Sequence, residues 1–175
     1  LAVAAIDVPY QIYEHNKKLK MSMQDIKDEM KDTDGKPEVK GRIRQLQREM
    51  SQKRMMAEVP NADVVITNPT HYSVALKYNP ENMSTPICVA KGVDFTAMKI
   101  REIARAHNVE LVQAPALTRA VYHTTDIDAE IPAGLYVAVA QVLAYIFQLR
   151  EYRFGRGDRP MRPTNINVPR DMKYD

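Results

Sequence analysis

The 175-residue sequence has one cysteine, no tryptophan and only six glycines. A single thiol excludes a disulfide framework and a cysteine-based zinc site, and it fits a reducing compartment. With no tryptophan, and nine tyrosines against three phenylalanines, the large aromatic part of any core is thin. No run of about 18 or more apolar residues occurs, so the sequence as it stands contains no complete membrane span, and no secretory signal is visible. Phosphate-binding glycine loops are missing, because the one Gly-x-Gly, Gly155-Arg156-Gly157, falls in a basic tail. His15, His71, His107 and His123 are scattered and none pairs with Cys88, so neither a metal site nor a cofactor is expected. Cys88 itself reads as a small buried hydrophobe. Asp126 to Glu130 begins like a calcium loop but lacks the glycine and the distant glutamate, and reads as a solvated turn.

Apolar residues make up 45% of the chain and charged residues 27%, enough apolar content to bury a core. The net charge of +3 is too small for a strong global attraction to nucleic acid, so a basic partner site has to be local. Residues 1–60 carry 12 Lys and Arg against 10 Asp and Glu, residues 61–145 carry 6 against 8, and residues 146–175 carry 7 against 4. The chain therefore divides into a mostly helical linker over 1–60, a globular body over 61–150 and an extended, mobile, proline-rich tail over 151–175. Leu1 to Ile6 is a short apolar run, compatible with a helix start or with the end of a membrane helix. Val39 to Met56 spaces Ile43, Leu46 and Met50 for a narrow stripe on a charged helix. Its basic residues suit phosphates of lipid or nucleic acid, although interleaved Glu49 and glutamines favour a solvated face.

Within the body, Ala62–Thr67, Tyr72–Tyr78, Pro86–Ala90 and Val109–Gln113 read as strands, from β-branched runs and alternation. Helices are expected from Asp94, as N-cap, to about His107-Asn108, with Asn108 as C-cap, then over Ala116–His123 and over the apolar Leu135–Leu149. At that length the last is a core helix. The fold class is α/β: a small four-stranded mixed sheet flanked by helices, preceded by a long charged linker helix.

Thr67-Asn68-Pro69-Thr70-His71 lies between two strongly apolar strands. As structure it is a sound type I turn, with Asn first and Pro presetting the second position. As chemistry it offers more. An asparagine normally decays when the next backbone N–H attacks its side-chain amide, and Pro69 has no N–H. The reverse attack remains, in which the Asn68 carboxamide nitrogen attacks its own main-chain carbonyl carbon, closes a succinimide and expels the Pro69 nitrogen. A turn anchored between strands can hold nitrogen and carbon at attack distance, worth up to about 7–11 kcal/mol in ideal intramolecular cases. His71 is placed to move a proton or polarise the turn, and Thr70 to hydrogen-bond it; the sequence leaves the two roles open.

Asn68-Pro69-Thr70-His71 followed by Tyr72-Ser73-Val74-Ala75-Leu76 resembles the self-cleaving signature of the FlhB family, the specificity-switch proteins of the bacterial flagellar type III export apparatus. The likeness continues through Val89-Ala90-Lys91-Gly92, Ile100-Arg101-Glu102-Ile103, Gln113-Ala114-Pro115, Leu117-Thr118-Arg119-Ala120 and Val142 to Leu149. The resemblance implies a segment on the cytoplasmic face of an inner-membrane protein, following a membrane domain of which Leu1 to Ile6 is the end. It implies cleavage after Asn68, with the halves staying associated, and a switch of export substrates from rod and hook to filament proteins. Implied partners are the other export-gate subunits, the hook-length control protein and export substrates. Such a cut is a single-turnover event and not enzyme turnover. An apolar docking patch for substrates is placed at Pro86, Ala140 and Leu143, which read equally well as core. The competing function is a non-cleaving basic module that binds a membrane surface or nucleic acid, with steep salt dependence.

Overall fold

The structure is a computed structural model that describes residues 13, 14, 17, 37–69 and 71–174. Leu1 to Ile6 and Thr70 lie outside the described residues. The chain forms two units, Leu1–Met50 and Ser51–Asp175, so the division falls inside the charged helix and the tail belongs with the globular body. That helix, α1, runs Pro37–Glu58 with proline in its first turn, where the missing N–H costs nothing. On the first unit's part, Arg42 donates to Gln45 and Gln45 to Glu49, while Val39, Ile43, Leu46 and Met50 are exposed.

The second unit is built on a four-stranded sheet in the order β3-β2-β1-β4. The strands are β1 (Val64–Asn68), β2 (Tyr72–Lys77), β3 (Ile87–Val93) and β4 (Glu110–Gln113). β1 runs antiparallel to β2 and parallel to β4, and β2 antiparallel to β3. The first strand therefore lies inside the sheet, paired on both sides, and its near-continuous β-branched run suits that position. Between the strands come α2 (Asp94–Ala106), α3 (Pro115–Thr124) and α4 (Tyr136–Arg153).

Alternate residues feed two cores. Val64, Ile66, Val74 and Leu76 pack with α3 and α4, and Val65, Ala75 and Ala90 pack with α2 and the end of α1. A register shift at Ala75/Leu76 leaves Val89 as the extra residue of β3, which is why Val89 and Ala90 both face the α2 side. Against the expectation that no stretch is long enough, Ala133–Arg153, α4 with the turn that leads into it, could cross a membrane by length and composition. Here Ala138, Val139, Val142, Leu143 and Ile146 turn one face of it into the larger core.

Three expectations need correction. β3 does not stop at Ala90, because Lys91, Gly92 and Val93 still pair with Val74, Ser73 and Tyr72. Asp94 does not cap α2: the N-cap is Val93, without a side-chain bond, and Asp94 is committed elsewhere. The tail is extended, as expected, but seated rather than loose. Val168 is buried in the larger core, Ile166 and Met172 pack against it, and Arg162 donates to the Leu111 carbonyl at 2.9 Å on the open side of β4. On the far edge, the Cys88 N–H donates to the Ala129 carbonyl at 3.0 Å and the Cys88 carbonyl accepts from the Asp128 N–H at 2.7 Å, so both outer strands are covered. Asn108, with φ 58°, takes the left-handed position after the His107 C-cap, a conformation that asparagine tolerates.

Candidate functional site

The turn between β1 and β2 begins where pairing ends, at Asn68 opposite Tyr72. The His71 N–H donates to the Asn68 carbonyl oxygen at 3.2 Å, which closes the turn across Pro69. Asn68 is half-buried, on the sheet face that carries Ile66 and Val74, while Pro69 and His71 are exposed. No described residue hydrogen-bonds the Asn68 carboxamide, so nothing described competes for its nitrogen. Of the four turn residues the sequence singles out, the structure thus brings Asn68, Pro69 and His71 together in one tight loop, with Thr70 outside the described residues.

The body grips this loop from two directions. From α2, Arg101 Nη1 donates to the Pro69 carbonyl at 2.5 Å. Asp94 accepts from His71 Nδ1 at 3.0 Å through its carboxylate and donates its N–H to the His71 carbonyl at 2.8 Å. From the other side, aromatic rings run back from the turn. Tyr72 lies 4.8 Å from Tyr122 and 5.8 Å from His123, and His123 stacks on Tyr174 of the tail at 4.7 Å. Beneath the turn, Thr67 donates to the Val112 carbonyl at 3.5 Å, while the buried Ser73 hydroxyl has no partner among the described residues.

The Asn68 carbonyl, fixed at its oxygen by a backbone N–H, is the carbonyl of the tertiary amide to Pro69, and the carboxamide of its own residue is the side-chain nucleophile nearest to it in the chain. When nitrogen attacks carbon, charge develops on the oxygen that His71 N–H already faces, the arrangement that stabilises a tetrahedral intermediate. Sequence reasoning gave neither Asp94 nor Arg101 a part in the site. Asp94 carried the signature of a helix cap, and Arg101 stood only within the family-like stretch Ile100–Ile103, with nothing in the periodicity of α2 to link it to the turn.

Pro86, Ala140 and Leu143 converge on one apolar cleft of about 270 Å³, walled also by Tyr78, Tyr136 and Phe147. Its lining includes aromatic side chains that the sequence reading did not assign to it. Among the described residues, no three His, Cys, Asp or Glu side chains gather as metal ligands. Burial pushes the Cys88 thiol up to about 12 from 9.0, the nearby Lys91 opposing this only in part, so Cys88 is no nucleophile.

Comparison with known proteins bears on the family and the fold. Residues 1–146 match the model of the FlhB HrpN YscU SpaS family. The chain is 50% identical over 174 residues to the flagellar biosynthetic protein FlhB of Escherichia coli (strain K12), covering 99% of this chain and 46% of that one. It is also 49% identical over 151 residues to the protein of the same name in Bacillus subtilis (strain 168), covering 86% of this chain and 42% of that one. The chain thus spans just under half the length of these relatives. A crystal structure of the cytoplasmic domain of FlhB from Shewanella putrefaciens is 57% identical, with a TM-score of 0.66 over 70% of this chain and 95% of that chain. A C-terminal domain of EscU shares the fold at 21% identity, with a TM-score of 0.51 over 53% of this chain and 98% of that chain. By matched length, sequence identity and fold alike, the chain belongs to the FlhB HrpN YscU SpaS family.

Proposed function

We propose that this chain severs itself between Asn68 and Pro69 and that the cut resets which substrates a flagellar type III export gate accepts. The observation that carries the reading is the 3.2 Å bond from the His71 N–H to the Asn68 carbonyl oxygen, beside a nitrogen that bears no hydrogen. The Asn68 side-chain nitrogen bonds to the Asn68 carbonyl carbon and loses a proton. The bond from that carbon to the Pro69 nitrogen breaks, and the nitrogen takes a proton to become a new amino terminus. The succinimide left on the first fragment is then opened by water. Each chain does this once, so the protein is a switch and not an enzyme in the turnover sense.

The position of β1 supports continued association after the cut. It sits between β2 and β4, both on the second fragment, with Val64, Val65 and Ile66 fully buried. The flagellar assignment rests on the relatives named as flagellar biosynthetic proteins, and the cytoplasmic placement on the Shewanella domain. The whole protein sits in the inner membrane, and its partners are export-gate subunits, the hook-length control protein and exported proteins. The cleft at Pro86, Ala140 and Leu143 is the surface suited to an apolar side chain of such a substrate. The test is a time course of chain mass at mildly alkaline pH. Wild type resolves into Leu1–Asn68 and Pro69–Asp175, and Asn68→Ala stays whole. A wild-type chain intact after days removes the reading.

A further inference from the structure

We infer that Asp94 and Arg101 are positioning residues for the cut, a clamp by which the first half of α2 holds the turn in its reactive shape. The inference rests on the reading that the chain cuts at Asn68-Pro69. The two residues lie seven apart, on one face of α2. They take hold of the turn at its second and fourth positions: Arg101 at the Pro69 carbonyl, Asp94 at both the ring and the carbonyl of His71.

Asp94 is placed for this at a conformational cost. Its φ is 45°, the left-handed region that L-residues other than Asn and Asp seldom enter. That backbone lets one residue return both its N–H and its carboxylate to His71, instead of turning the carboxylate inward as a helix cap. Strain kept at one position beside a functional loop calls for a compensating contact, and the two bonds to His71 are that contact. Gly92 completes the seat. A Cβ there would lie 2.4 Å from Thr96 Cγ2 and 3.0 Å from the Ala97 nitrogen, so only glycine lets the first turn of α2 come this close to β3.

The chemistry follows from donor and acceptor roles. An ionised carboxylate only accepts, so His71 Nδ1 carries the proton in the neutral ring and Nε2 is left as the acceptor. Arg101 anchors the carbonyl of Pro69, which ties the residue that carries the departing nitrogen to α2. The His71 N–H can meet the Asn68 oxygen only while His71 stays put, and Asp94 keeps it there. Displacement of a reacting group by about 1 Å can cost about a hundredfold in rate.

The experiment compares the half-time of cleavage of the full 175-residue chain in wild type, Asp94→Asn, Arg101→Met and Arg101→Lys, alongside each melting temperature. Asp94→Asn and Arg101→Met are expected to slow cutting about tenfold or more at unchanged melting temperature, and Arg101→Lys to recover most of the loss. In a second arm, nitrogen NMR on the uncleavable Asn68→Ala chain reads the His71 tautomer. The expected result is a proton on Nδ1, redistributed between the two nitrogens when Asp94→Asn is added. Unchanged half-times, slowing only in step with a lower melting temperature, or a tautomer indifferent to Asp94→Asn overturns the clamp. A cutting wild type with indifferent variants removes this inference alone. A wild type that never cuts removes the cleavage reading and the clamp with it, although the NMR arm still reports whether Asp94 holds the ring.

Discussion

β1 and the turn that follows it are neighbours in the chain and opposites in how they are held. The strand pairs with β2 over five register positions and with β4 over four, and its central side chains have no solvent exposure. Among the described residues, the turn has one backbone bond of its own and otherwise depends on α2, which reaches it with the Asp94 N–H and with the side chains of Asp94 and Arg101. What this difference teaches is that a break in the turn would not by itself separate the two halves. A cut at Asn68-Pro69 removes one covalent link at the rim, while both ladders and both cores keep their residues. The proposed scission lies at the rim, where local opening is cheap, and cohesion lies in the interior, where it is not.

The comparison breaks first if the strand can be weakened without consequence. Ile66→Ala, a truncation at a fully buried position of β1, should cost about 2–5 kcal/mol of stability. In a cut sample it should lower the denaturant concentration at which the fragments part, measured by size-exclusion chromatography in a urea series. Cleavage should proceed wherever the fold persists.

A smaller effect sharpens the turn's side of the contrast. Pro69→Ala restores a backbone N–H next to Asn68 and reopens ordinary deamidation. Cutting should slow several-fold, and mass spectrometry should find intact chain about one mass unit heavier accumulating in its place. The smallest effect concerns the interior alone. Burial raises the Cys88 thiol to about 12, so its contribution to stability is complete below the unfolded value of 9.0 and is lost as pH climbs from there toward 12. Alkylation at pH 8 should therefore be slow in the native protein and fast in urea, in cut and uncut samples alike.

Much of this contrast was legible before any coordinates. The run Val64-Val65-Ile66 marks an interior strand because β-branched residues without polar alternation suit burial on both faces. Tyr72 to Lys77 was placed to within one residue, since one turn and one alternating stretch fix it. Asn68-Pro69 declared itself through the absence of a single hydrogen. What escaped depends on contacts between distant positions. Asp94 looked like a helix cap because its local sequence is that of a cap, and only its pairing with His71, 23 residues away, gives it another role. The tail reads as loose because Gly, Pro and Arg predominate, and no periodicity announces that Val168 reaches the core. The cleft likewise joins Tyr78 to Tyr136 and Phe147, residues that no local pattern connects.

One measurement tests the central claim most directly: the mass of the first fragment at the earliest time it can be detected, taken from a sample that still runs as one particle in native buffer. Attack by the Asn68 carboxamide requires that fragment to appear one water lighter than Leu1–Asn68 with a free terminus, and to gain the water later, while its partner begins at Pro69. A first fragment that bears a free carboxylate from the outset, or a break at any other bond, contradicts the account.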